Sequence, residues 1–165
     1  MQNHNTIQIR KIRLDDTPQV KSLINAILDS EFTSERKAYA CFDLDDPVQY
    51  YSGNKDIFLV AEKDGKIIGT VAIKEDAPDT ALLRRVFVHK DFRGQGYGEK
   101  LLKKALEFCF EHDYDTVNFR GTDKMQGALK LCLKQGFQEH DVNAAQDFKM
   151  FILTKKLKTL PGHLA

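Results

Sequence analysis

From Arg93 to Gly98 the chain reads Arg-Gly-Gln-Gly-Tyr-Gly, three glycines in five residues. The apolar run Val86-Phe-Val88 precedes this loop, and Leu101, Leu102, Ala105, Leu106 and Cys109 follow at helical spacing. The order strand, glycine loop, amphipathic helix constrains the fold more than any other feature, because it presents the start of a helix with no side chains in front of it. A helix start leaves up to four backbone N–H groups without intrahelical partners and carries partial positive charge, which suits a phosphate. Arg93 and Lys90 add local positive charge, and Lys100, Lys103 and Lys104 extend it. The glycine string alone also fits a tight strand-to-helix turn with no ligand. It matches neither a Walker A loop, which needs GxxxxGK[ST], nor the dinucleotide fingerprint, since Glu99 stands where its last glycine belongs.

Around this loop the periodicities alternate between strand and helix. Ile7–Ile12 alternates as a half-buried strand, and Asp15-Asp16-Thr17-Pro18 starts a helix with Val20, Leu23, Ile24, Ile27 and Leu28 on one face. The segment 30–55 has no clear period, although Asp46-Pro47 is suited to start a short helix. Asp56–Ala61 and Lys66–Ile73 form a hairpin around Asp64-Gly65. Leu82–Val88 is the next strand and Thr116–Phe119 a short one. Ala128, Leu129, Cys132 and Leu133 mark a helix ended by Gly136, with Phe137 packing back on it. Two strands, near 138–141 and 148–157, close a mixed α/β core spanning 7–157, and 158–165 reads as a frayed tail.

Composition narrows the partners. The 165 residues suit one domain, and 25 Lys+Arg against 24 Asp+Glu leave a formal charge of +1, which argues against nucleic acid or an anionic membrane as partner. No apolar run is long enough to span a bilayer, and Met1–Arg13 lacks the apolar core of a signal peptide, so a cytoplasmic protein is expected. Cys41, Cys109 and Cys132 are odd in number and far apart, as expected of reduced thiols. His4, His112, His140 and His163 show no ligand spacing, and no metal is expected.

Three ordered blocks give the chain a family likeness. Arg93-Gly-Gln-Gly-Tyr-Gly98 resembles the [RQ]-x-x-G-x-[GA] signature of the GNAT superfamily of acyl-CoA-dependent N-acetyltransferases. Arg85-Val-Phe-Val88 resembles that family's fourth strand, and Ala128–Phe137 resembles its AxxLYxxxGF helix ending. The resemblance implies an α/β (α+β) GNAT fold over 7–157: a central mixed, mostly antiparallel sheet of six to seven strands with about four helices, splayed between the fourth and fifth strands. It also implies acetyl-CoA as donor, with its pyrophosphate on the amides of Arg93, Gly94, Gln95, Gly96, Tyr97 and Gly98. The pantetheine arm would lie along Val86, Phe87 and Val88, and a primary amine of a small molecule, peptide or protein would attack the thioester directly.

Where relatives carry their proton-transfer residues, this chain departs from them. Many have a glutamate on the fourth strand where Leu82 stands, and a tyrosine where Cys132 stands. Glu75, Asp76, Asp79, Glu31 and Glu35 are carboxylates near enough in sequence to serve as base, with Glu75 the first candidate, and each also reads as a solvated loop carboxylate. His89 titrates near pH ~6.5 when unperturbed and is either a base or a turn residue. Cys132 is either a general acid or a small apolar filler of a helix face. Met125 is expected to pack, and Asn118 either faces the cleft or bonds at a strand end. Asp43, Asp45 and Asp46 read as an exposed acidic turn rather than as an amine-attracting patch. The departures at Leu82 and Cys132 keep a second reading open: an acyl-CoA-binding regulatory or partner-binding module with weakened catalysis. A monomer and a homodimer paired through an edge strand near 148–157 both fit the sequence.

Overall fold

Asp64 and Gly65 both adopt positive φ (51° and 80°), the left-handed pair that a two-residue hairpin turn requires, and they join two antiparallel strands, 57–63 and 66–77. The computed structural model describes residues 7–33, 41–144 and 149–157, with the backbone alone at 141–144. The expected tail at 158–165 and the candidate Glu35 lie outside these residues.

Among the described residues the strands are β1 (Gln8–Lys11), β2 (Ile57–Lys63), β3 (Lys66–Ala77), β4 (Thr80–Val88), β5 (Thr116–Thr122), β6 (Gln138–Ala144) and β7 (Lys149–Lys156). The helices are α1 (Thr17–Glu31), α2 (Pro47–Tyr50), α3 (Tyr97–Glu111) and α4 (Gln126–Lys134). All seven strands form one sheet in the order β1-β2-β3-β4-β5-β7-β6, and only β4–β5 is parallel. The chain's last strand is therefore not at an edge. Strand β7 lies between β5 and β6, so the edge strand expected near 148–157 is instead β6, because β7 crosses back to pair with β5 before β6 closes the sheet.

The two faces of the sheet can be told apart by alternation. A Cβ on Gly69 would meet Leu101 of α3, and one on Gly121 would meet Leu129 of α4, so Gly69, Ile73, Leu83, Phe119 and Gly121 face the α3/α4 side. Thr70, Ala72 and Lys74 on β3, with their partners Phe87, Arg84 and Leu82 on β4, face the other side. There Tyr51, just after α2, packs edge-on against Phe58, the partner of Ala72 (ring centroids 5.3 Å). The buried faces of α1 (Val20, Leu23, Ile24, Ile27, Leu28) and α3 (Leu101, Leu102, Ala105, Cys109) match the apolar periods of the sequence. Helix α4 ends as expected: Gly136 has φ 92°, and the Phe137 N–H donates to Cys132 O at 3.0 Å.

Strand β4 carries an extra residue. Thr70 pairs with Phe87 and Ala72 with Arg84, so Val71 opposes both Arg85 and Val86. Arg85 takes φ 56° to accommodate this bulge, a left-handed conformation that is costly for a long side chain.

Candidate functional site

The β4–β5 ladder runs from Thr80↔Thr116 to Leu83↔Phe119 and stops. Beyond that point β4 stays paired with β3 as far as Val88↔Gly69, and β5 stays paired with β7 as far as Thr122↔Met150. Each strand is held on its outer side while the inner edges part. The segment 84–88 thus presents a strand edge with no β5 partner, onto which an extended ligand can add main-chain hydrogen bonds.

A cleft of about 350 Å³ opens here, walled by Val86–Val88, the glycine loop, the start of α4 and the end of α1. Val86, Phe87, Val88, Arg93, Gly94, Gly96, Tyr97 and Gly98 all line it; Gln95 does not, and is exposed at the loop tip. Gly94 (φ 75°) and Gly96 (φ 85°) both lie in the left-handed region, and nothing stands within 4 Å of where their Cβ atoms would be. Gly98 has a different role: its Cβ would stand 3.3 Å from Leu131 and 3.5 Å from Val88, so its small size closes α3 onto α4 and β4. Helix α3 makes its first backbone bond from Lys100 N–H to Gly96 O (3.1 Å), which leaves the earlier amides of its first turn ahead of that ladder. A 15-residue helix pointing uncapped amides into an open, glycine-lined cleft fits a phosphate group.

The charges around the loop differ from the sequence expectation. Arg93 donates through Nε to Val88 O (2.9 Å) and grips Glu31 at the end of α1 with both terminal nitrogens (2.7 and 2.8 Å). Those bonds hold the Glu31 carboxyl below its ordinary range against the opposing effect of burial, helped by the charges of Arg93 and Lys90. Lys103 and Lys104 do not extend a basic field, because they turn to Glu99 (3.2 Å) and Glu107 (3.7 Å) on their own helix. Glu99, which lines the cleft, is held low by hydrogen bonds from Lys103 and Lys134. Lys124 lines the cleft from the turn before α4, a position with no motif to mark it. Since Glu31 puts a negative charge beside the candidate anion site, Glu31→Gln is expected to tighten CoA binding about 2- to 5-fold at low ionic strength, with the gain fading in salt. Titration calorimetry at two salt concentrations checks this.

The candidate proton-transfer residues are scattered. Cys132 is fully buried, outside the cleft lining, and its thiol is pushed up to about 12 by burial. Glu75 and Asp76 are exposed near the far end of β3, where Glu75 pairs with Ala81 of β4. Ala81 lies five residue steps from Val86, where the cleft wall begins, roughly 16 Å at the usual rise. Asp79 is exposed and accepts a hydrogen bond from the Thr80 hydroxyl (2.9 Å). The His89 ring accepts from the Asp91 N–H (3.1 Å), a turn role. Met125 is buried and also lines the cleft. Asn118 accepts a hydrogen bond from the Thr154 hydroxyl (2.7 Å) across β5–β7. Leu82 is paired with Asn118 in the β4–β5 ladder.

The acidic turn at 43–46 is a correction to the sequence reading. Asp45 is exposed and pairs with Lys21 (3.0 Å), and Asp46 caps α2 by accepting from the Gln49 N–H. Asp43, by contrast, is fully buried. It accepts from Arg85 Nε (3.0 Å) and Nη2 (2.6 Å) and from the Tyr51 hydroxyl (2.7 Å), while Arg84 Nη1 stands 4.0 Å away. Burial disfavours its charge, but these donors prevail and hold the carboxyl below its ordinary range. The signal in the sequence was Arg84-Arg85 itself: two arginines in mid-strand require a buried acid.

The model of the acetyltransferase (GNAT) family matches residues 20–137. The N-acetylaspartate synthetase of Homo sapiens is 37% identical over 98 residues, 58% of this chain and 32% of that protein. The chain spans less than half the length of the first curated relatives it matches. Among solved structures, a GNAT-family acetyltransferase of Staphylococcus aureus Mu50 superposes with a TM-score of 0.81 at 23% identity, covering 93% of this chain and all of that one. A putative acetyltransferase of Salmonella typhimurium, solved with its cofactor acetyl-CoA, gives 0.78 at 16% identity over 95% and 97% of the two chains.

Proposed function

Because the chain belongs to the GNAT acetyltransferase family, we propose that it transfers an acetyl group from acetyl-CoA to a primary amine of a small molecule, peptide or protein. The observation that carries this reading is the pairing of two features at one cleft: a strand edge left without a partner at 84–88, and open left-handed glycines at 94 and 96 before an uncapped helix. A CoA pyrophosphate would rest on the amides around Gly94–Gly98, and an extended pantetheine along Val86–Val88. The Salmonella relative in fold was solved with acetyl-CoA, which supports the same donor here. The residues 7–157 would act as one N-acetyltransferase unit.

Acetyl-CoA supplies an electrophilic thioester carbonyl, and the amine nitrogen attacks it directly. The C–N bond forms, the C–S bond breaks, the nitrogen loses a proton and the departing thiolate gains one. The carboxylates lining the cleft, Glu31 and Glu99, are both held ionised by lysine or arginine partners and are therefore weak bases. Cys132, buried with its thiol raised to about 12, is a poor acid at neutrality. We assign both proton transfers to water in the splay, with the amine entering from the side of Leu82 and Asn118.

Thiol release from acetyl-CoA, measured across acidic, neutral and cationic amines and peptide N-termini, tests the proposal. Acidic amino acids belong in the panel because one relative is named for N-acetylaspartate synthesis. If no acceptor supports release while CoA still binds, the binding-module reading, favoured by Leu82 and the buried Cys132, replaces this one. Cys132→Ala is expected to leave kcat within about twofold and to cost about 1 kcal/mol of stability through the small cavity it leaves. A drop in kcat of tenfold or more would return the thiol to the mechanism.

A further inference from the structure

We propose that the acceptor amine carries a carboxylate, received by Arg84 of β4 and Arg120 of β5 at the mouth of the splay; this rests on the acetyl-transfer reading above. The parallel register pairs Thr80 with Thr116 and Leu83 with Phe119. One step further, that register would set Arg84 beside Arg120, the first residues on each strand after the pairing ends. Both belong to the face opposite α3 and α4. Arg84 shares a rung with Ala72 and Phe58, and Arg120 follows Asn118 by two along β5, whereas Phe119 and Gly121 look toward α4. A thioester between Val88 and Leu83 would thus meet, on the acceptor side, two guanidinium groups and no carboxylate of their own strands.

The described residues neutralise this pair only in part. Asp43 stands nearest, but its oxygens already accept two hydrogen bonds from Arg85 and one from Tyr51, and Arg84 approaches only to 4.0 Å. One carboxylate faces two arginines there, leaving one positive charge in excess. Among the described residues the Arg84 guanidinium makes no hydrogen bond; its other contact is the Tyr50 ring, 5.9 Å from centroid to Cζ. With a side chain only 22% exposed, it is largely withdrawn from water, and no described residue accepts a hydrogen bond from it. Arg120 is exposed. Other cations on this face are already held: Lys74 by Asp56 at 2.8 Å and Arg10 by Asp16 and Glu62. A fork of donors on a half-dry side chain, with Arg120 at the matching place on the diverging strand, suits a carboxylate.

The test compares acceptors of matched shape with and without the carboxylate: L-aspartate with L-asparagine, L-alanine with L-alaninamide, and a peptide beginning with Asp with its Asn counterpart. In at least one pair kcat/KM should favour the carboxylate about 10- to 100-fold, although amidation lowers the amine's own basicity. Arg84→Gln should lower the carboxylate-to-carboxamide ratio by at least about tenfold, and the exposed Arg120→Gln, which has no packing to lose, by a smaller factor in the same direction. Arg120→Gln stands as the test if Arg84→Gln does not fold. Ratios within about threefold in every pair, or a ratio that neither variant moves, overturn the inference. Turnover confined to neutral or cationic amines would overturn it while leaving acetyl transfer intact, whereas no thiol release with any amine would remove both.

Discussion

Gly96→Val is expected to weaken CoA binding about 100-fold while leaving the fold near its original stability. Valine at φ 85° costs about 1–2 kcal/mol, and a β-branched side chain is among the worst tolerated there. The loop relieves that strain by moving, and the amides at the start of α3 move with it. Losing one or two charge-assisted hydrogen bonds to phosphate costs about 1.5–3 kcal/mol each, which sets the hundredfold scale. Because nothing lies within 4 Å of the Cβ position, the added side chain clashes with no part of the protein itself. Gly98→Ala should do the reverse, lowering stability through its contact with Leu131 more than it lowers affinity. Calorimetric titration with CoA beside thermal melts of both variants separates the two roles. A Gly96→Val protein that binds CoA within threefold of the parent would show that the loop does not touch the ligand.

Asp43→Asn is expected to cost about 3–5 kcal/mol of stability, since it leaves Arg85 buried without its counter-charge. For a domain of this size that corresponds to a fall in melting temperature of about 6–20 °C. The pH dependence has a definite sign. The Asp43 carboxyl titrates lower in the folded chain than in the unfolded one, so its stabilisation is fully present above the unfolded value near ~3.9. It is lost as pH falls through the folded value, and the gap between parent and variant should close over that acid range. Pairing Asp43→Leu with Arg85→Met should recover most of the loss, because the cost lies in the unpaired charge rather than in the absent bond. A single variant that melts within 2 °C of the parent would mean that Arg84, Arg85 and Tyr51 do not depend on the carboxylate.

The shape of the glycine-loop cleft was legible because it is written in local code. Glycines with positive φ, a helix period and a strand run each leave a mark over a few residues, and Arg93–Gly98 combines all three. Their distinct duties were not legible: a Gly98 chosen for packing and a Gly96 chosen for conformation look alike in a string. The charged pairings around the candidate site were hidden for a different reason. Asp43 meets Arg85 across 42 positions, and Glu31 meets Arg93 across 62. No period or motif records such a meeting. The order of the last two strands failed for the same cause, since β7 pairs with β5 by a long-range choice that alternation within either strand does not encode.

The extra residue at Arg85 acts as a change of phase within a single strand. Side chains of a strand alternate strictly, so one inserted residue reverses which face every later position serves. Upstream of the bulge, Leu82 and Arg84 look to one side of the sheet; downstream, Val86 and Val88 look to the other. The two halves of β4 are thereby decoupled. Substitutions at 82 and 84 can be drawn from one set of requirements and those at 86 and 88 from another, with Arg85 as the joint between them. A lineage could exchange one half's chemistry and inherit the other's unchanged, provided the joint keeps its length.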